Sequence, residues 1–194
     1  AQSVLGDFNN ATLEYQGFLN KFYKKEDRFY IYTQGPEGVP GEYEISYTFG
    51  LRPLQQYLVE FPGGRLQCLP VAWDTEKKKW YHLVPEVYPG ENIPPDDWLY
   101  WTNLGQNWNG MCADCHSTEF KKNLDFETMT FQSTWKDINV GCEACHGPGS
   151  AHLDWAKLPE GERPMDVNTG LVVKTSNIDN RDYIDNCARC HSRR

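Results

Sequence analysis

Cysteine, cysteine and histidine recur three times in one fixed pattern: Cys112-Ala-Asp-Cys115-His116, Cys142-Glu-Ala-Cys145-His146 and Cys187-Ala-Arg-Cys190-His191. Two thiols a short turn apart can bond the two vinyl groups of one porphyrin while the adjacent imidazole reaches the iron. The pattern therefore predicts three covalently attached c-type hemes. Cys112, Cys115, Cys142, Cys145, Cys187 and Cys190 are the expected attachment points, and His116, His146 and His191 the proximal iron ligands. Zinc is the competing chemistry, since paired Cys-x-x-Cys motifs also build tetrahedral sites. Here every pair carries a His directly after its second Cys, which neither a zinc ribbon nor a thioredoxin-like pair requires.

Counting histidines sharpens the expectation. The chain has 5 His; the motifs use three, leaving His82 and His152 as distal candidates for three irons. At least one heme cannot be bis-His from this chain alone. Three explanations remain open: a Met thioether, from Met111, Met129 or Met165; an open iron that binds a small ligand; or a His lent by another polypeptide. Met ligation would raise the potential of that heme, although packing is the commoner role of Met, and Met111 stands too close to Cys112 to reach the far face of its own heme. His152 follows Cys145 by seven residues on an expected short helix, placed to serve a neighbouring heme. His82, flanked by Trp80 and Tyr81, is either a ligand or a half-buried structural histidine. With three residues beyond His191, the third heme is the one expected to lack a distal ligand of its own.

The elements that must position these residues fall into two textures. Residues 1–92 form the expected β-rich region, with strand-like runs at Phe29–Tyr32, Tyr43–Phe49, Tyr57–Phe61, Arg65–Leu69 and Trp80–Val84 separated by Gly/Pro punctuation. An antiparallel meander or small sandwich follows. Residues 93–194 form the expected triheme-binding region, rich in loops, with short helices over Ser150–Lys157 and Asp179–Cys187. Porphyrins would supply much of the apolar core there. The fold class is thus α+β. Motif starts are 30 and 45 residues apart without an accompanying repeat, so the first two hemes are expected to pair closely.

Composition narrows the partners. A net charge of −8 over 194 residues, before any heme propionates, makes nucleic acid a poor partner. The mean hydropathy is −0.69, and no run approaches the roughly 20 apolar residues of a membrane span. Heme attachment to thiols takes place outside the prokaryotic cytoplasm, and Ala1-Gln2 resembles the remnant of a signal-peptide cleavage, so a periplasmic or extracellular location is expected. The seventh cysteine, Cys68, reads as a small buried hydrophobe. Arg189, Arg193 and Arg194 either neutralise propionates near the third heme or form a solvated basic end.

Several segments carry a family resemblance: Tyr43-Glu-Ile-Ser-Tyr-Thr-Phe-Gly50, Pro53 to Leu66, Trp108-Asn-Gly-Met-Cys-Ala-Asp-Cys-His-Ser117, Val140 to Gly149, and Cys187 to Arg194. Together they resemble the N-terminal portion of the multiheme cytochrome c family whose larger members carry tetratricopeptide repeats, related to the tetraheme cytochrome family of nitrifiers. The resemblance implies electron transfer through closely packed, largely bis-His hemes, with His82 and His152 as distal candidates. The expected protein is an exported triheme electron carrier serving redox partner proteins or an extracellular acceptor. Ligand counting alone adds an analogy to extracellular cytochrome filaments, in which one subunit lends a His to the next, so other copies of the chain or a further heme-bearing chain are expected partners. The alternative is a heme enzyme, a small-molecule reductase or peroxidase, working at an open third iron.

Overall fold

The computed structural model describes residues 3–165, 168–174 and 176–192; Ala1, Gln2, Arg193 and Arg194, to which the cleavage remnant and part of the basic end were assigned, lie outside them. Contacts divide the chain into two compact units, Ala1–Cys112 with Lys122–Ser133, and Ala113–Lys121 with Thr134–Arg194. Composition changes at residues 92/93, whereas packing divides at Cys112/Ala113, because the stretch leading into the first motif is hydrogen-bonded to a β-strand.

The first unit holds two four-stranded antiparallel meanders. One runs β1 (Ala11–Tyr15), β2 (Phe18–Lys25), β3 (Arg28–Gln34) and β4 (Pro40–Glu44); the other β5 (Tyr47–Phe49), β6 (Leu54–Phe61), β7 (Arg65–Asp74) and β8 (Lys79–His82). The alternation that makes one face apolar is clear in β3, where Ile31 and Thr33 are buried and Tyr32 and Gln34 are exposed. The run Tyr43–Phe49, a single strand by sequence, is broken between the sheets: the Ile45 amide donates to Phe29 O and the next amide, Ser46, to Leu58 O. Each sheet claims one side of that corner. The Gln16-Gly17 turn, with φ of +49° and +75°, has the two left-handed residues of a tight hairpin and pairs Tyr15 with Phe18.

Side chains from both sheets meet in one core of Phe8, Phe22, Ile31, Tyr57, Val59, Leu69, Val71, Trp73, Trp80 and Trp101. Trp80 is its hub, stacking on Phe22 at 3.8 Å and meeting Phe8, Tyr57 and Trp73 at 5.1–5.4 Å between centroids. Its indole N–H donates to Asp7 O, which ties the N-terminal segment into the sandwich. Short helices α1 (Val84–Val87) and α2 (Trp108–Met111) complete this unit, with the two-residue pair β9 (Leu124–Asp125) and β10 (Thr130–Phe131). Gly64 allows β10 to approach, since a Cβ there would stand 2.2 Å from Phe131 O.

The second unit carries α3 (Ala113–His116), α4 (Cys142–His146), α5 (Ser150–Lys157) and α6 (Asn180–His191). The expected helix over 150–157 is present as α5. The expected helix at 179–187 starts one residue later, because Asp179 serves as its N-cap and accepts from the Asp182 amide at 2.8 Å, and it runs on through the third motif. No described helix is long and apolar enough to cross a membrane.

Replacing Trp80 by Ala removes the shared ring surface of both sheets. The expected cost is about 3–5 kcal/mol of unfolding free energy, read by urea titration followed by circular dichroism in the strand region.

Candidate heme-attachment site

The approach to the first motif is built from buried amides. Asn107 caps α2, its Oδ1 accepting from the Gly110 amide at 2.9 Å, while its Nδ2 donates to Gln67 Oε1 at 3.0 Å. Asn109 accepts from the Leu66 amide at 2.7 Å and donates to Ser133 Oγ at 2.9 Å. Gln67 donates to Trp101 O and Asn103 O. All three side chains are almost fully buried, so each amide is held by partners from β7 or the loop beside it. Cys112 then sits at the C-cap of α2, where the backbone leaves the helix. The sequence reading missed this network; the run Asn107-Trp-Asn-Gly110, rich in capping residues just before a motif, was the available signal.

Within the second unit the motifs are brought together. Thr118, two residues past His116, donates through Oγ1 to Asn139 O at 2.7 Å and accepts from the Gly141 amide at 2.9 Å, so the exit of the first motif fixes the N-cap of the second. Cys115 Sγ lies 3.8 Å from Cys190 O, joining first and third motifs, and the Arg189 guanidinium reaches Ala144 O in the second at 3.4 Å. On α4 and at the end of α6 the two Cys are three residues apart and the His follows, so thiols and imidazole share one helical face.

The thiols differ sharply in setting. Cys142, Cys145, Cys187 and Cys190 are exposed, Cys112 and Cys115 half-buried, and only Cys68 buried; no disulfide joins any of them. Cysteine is ordinarily among the most buried residue types, so surface thiols spaced for thioether bonds fit an attachment role. Cys68 accepts from Gln56 Nε2 at 3.4 Å, and burial pushes its thiol up, leaving it protonated and inert as expected. A tetrahedral zinc cluster needs convergent donors, and no group of three or more His, Cys, Asp or Glu so arranged exists among the described residues.

Two further features fit heme. Helices α4, α5 and α6 bury no side chain at all, and Tyr183 and Ile184, on the helix that carries Cys187, are more than 60% exposed. A unit of this size without an apolar core of its own requires something apolar to pack on. His146 Nδ1 is also buried without a hydrogen-bond partner, an arrangement that a purely structural histidine avoids.

The distal candidates are placed differently. His152, on α5, has Nδ1 2.7 Å from Thr169 O; a carbonyl only accepts, so Nδ1 carries the proton and Nε2 presents its lone pair, the form that ligates a metal. His82, at the end of β8, stacks on Tyr15 at 3.6 Å, and its Nδ1 accepts from the Val84 amide over a long 3.3 Å. Burial pushes its imidazole down to about 4, keeping it neutral. It lines a cavity of about 610 Å³ with Tyr15, Phe18, Leu69, Leu83 and Tyr100, and no lining residue is Asp, Glu, Lys or Arg. The expectation that the methionines pack is not met: Met111, Met129 and Met165 are all exposed.

Residues 102–192 match the family described as cytochrome c7 and related cytochrome c. This segment is similar to the multiheme c-type cytochromes. Proteins of this kind hold heme c covalently and transfer electrons, and the α+β fold carries that segment behind a β-rich region. No curated protein matches the chain. Among solved structures, the outer cell wall cytochrome OcwA is similar, with 23% identity over 72% of this chain and a TM-score of 0.38; the chain spans 23% of that structure's length.

Substituting Asn109 by Ala removes the acceptor of the Leu66 amide and the donor to Ser133 Oγ, which keeps its own bond to Lys122 O. The expected loss is about 1–3 kcal/mol, measured by denaturant unfolding, with faster hydrogen exchange of the Leu66 amide in the variant than in the unaltered protein.

Proposed function

We propose that the chain is an exported triheme cytochrome that relays electrons between a donor and an acceptor outside the cytoplasm. Three hemes c would be held by Cys112, Cys115 and His116; by Cys142, Cys145 and His146; and by Cys187, Cys190 and His191. The observation that carries this reading is the clustering of exposed motif thiols on helices that bury nothing of their own. Heme c supplies one-electron redox chemistry when bound. The protein's part is to hold the attachment points close, as the Cys115–Cys190 and Arg189–Ala144 contacts do, and to set ligand identity and burial.

His152 and His82 are the proposed distal ligands. His152 is supported by the tautomer its Thr169 contact selects. His82 is supported by its neutral form and its uncharged cavity, of a size within the ~300–1,000 Å³ usual for cofactor pockets. As ligand through Nε2 it would give up the long contact from the Val84 amide, because Nδ1 must then carry the proton. Two distal histidines for three irons leave one position to be served from elsewhere, and a histidine lent by another copy of the chain would link subunits into a filament.

Intact mass of the holoprotein should show three heme increments, and the double substitution Cys142→Ala, Cys145→Ala should remove one; two increments on the unaltered chain would overturn the triheme reading. In electron paramagnetic resonance of the oxidised protein, His152→Ala should convert one low-spin heme to high-spin. A high-spin signal that is lost on assembly and returns on dilution is the expected mark of a ligand crossing between copies.

A further inference from the structure

Residues 168–174 form a loop that touches the second motif with one end and α5 with the other. At one end the Val173 amide donates to His146 O at 3.2 Å, and Val172 and Val173 pack over Gly147, where a Cβ would meet them at 3.2 and 3.5 Å. At the other, Thr169 O receives the His152 ring proton at 2.7 Å. Between them a tight turn closes, with the Leu171 amide on Asn168 O at 2.9 Å and Thr169 and Gly170 both left-handed, at φ +53° and +78°. One loop thus fastens the backbone of the motif histidine His146 and the ring of His152.

Gly170 makes that contact possible. A Cβ at this position would stand 2.7 Å from Ala151 O, 2.8 Å from Ala151 C and 2.9 Å from the His152 amide nitrogen. All three are helix backbone atoms, which cannot swing aside as a flexible side chain would. Any larger residue must lift the loop from α5, and the Thr169 carbonyl with it. Among the described residues the His152 ring is otherwise steadied by Trp155, stacked at 5.7 Å, whose indole N–H donates to Pro164 O while the Arg163 guanidinium lies over its ring. Neither contact fixes which ring nitrogen is protonated.

We infer that Thr169, through its carbonyl, and Gly170, through its missing Cβ, are positioning residues that set the tautomer and donor strength of His152. The inference rests on the proposed role of His152 as an iron ligand. A Nδ1–H held by a carbonyl makes Nε2 a more basic ligand and favours the ferric iron, which lowers the potential of the heme it serves. Loss of the carbonyl raises that potential and lets the ring turn or leave.

The test uses the holoprotein carrying Gly170→Ala, with Gly161→Ala as control, since a Cβ at Gly161 meets nothing within 4 Å. Potentiometric titration of Gly170→Ala should show one heme shifted to more positive potential, with altered g-values or a new high-spin component in the resonance spectrum. Gly161→Ala should match the unaltered protein. A second measurement does not depend on a variant folding: with ¹⁵N-labelled histidine, the His152 Nδ1 proton of the unaltered holoprotein should exchange slowly with solvent. Potentials and spectra unchanged in Gly170→Ala, or a rapidly exchanging Nδ1 proton, would overturn the inference. If His152→Ala leaves every heme low-spin, the ligand role itself fails; a high-spin heme there with an unmoved Gly170→Ala sinks the positioning role alone.

Discussion

Helices α4, α5 and α6 bury none of their side chains among the described residues, so apolar packing of this chain's own residues cannot be what holds them. Burial of apolar surface is the largest favourable term available to a small unit. Where it is missing, the helices need an apolar surface other than their own side chains, which the proposed hemes would supply. That constraint explains why the unit is assembled from one- to three-turn helices joined by loops and single-residue clamps, such as Thr118 between the first two motifs and the 168–174 loop between His146 and His152. These clamps give direction to side chains while leaving their faces open.

The β unit answers the opposite problem. It satisfies itself: two sheets share an aromatic core around Trp80, and the N-terminal segment is stitched in through Gln55, Tyr57 and Trp80. Its last act is to present the backbone at Cys112 in a defined place, through Gln67, Asn107 and Asn109. Three buried amides are a costly way to end a strand-to-helix connection unless every lone pair and proton is used, and here nearly every one is. The two units thus treat polar groups differently, enclosing them in one and exposing them in the other.

Much of this was legible beforehand. The proposed attachment residues stood out in the sequence because that chemistry demands both type and spacing, and spacing survives any fold. Strands at Phe29–Tyr32 and Tyr57–Phe61 were visible from aromatic and β-branched content, whereas β1 and β2 were passed over, exposed Leu19 and buried Asn20 breaking the apolar alternation of β2. The break between β4 and β5 was hidden because each half satisfies the strand pattern and only the partner strands differ. The Asn107–Asn109 network and the role of Gly170 were out of reach, since both depend on backbone atoms more than ten residues away. Met165 misled for a related reason, since burial presumes a core and the unit around it has none, whereas Met111 and Met129 stay exposed in a unit that has one.

Each sheet pairs its strands strictly in chain order. Neighbour-to-neighbour pairing keeps contacting residues near in sequence, the condition under which chains fold quickly. The sandwich therefore has the local pairing of a unit that folds quickly, and under the proposed heme role it would form ahead of attachment. Cys68, the one thiol outside the three motifs, is buried within that unit. The six motif cysteines, exposed or half-buried, would then stay open to the proposed heme attachment while the seventh is closed to it.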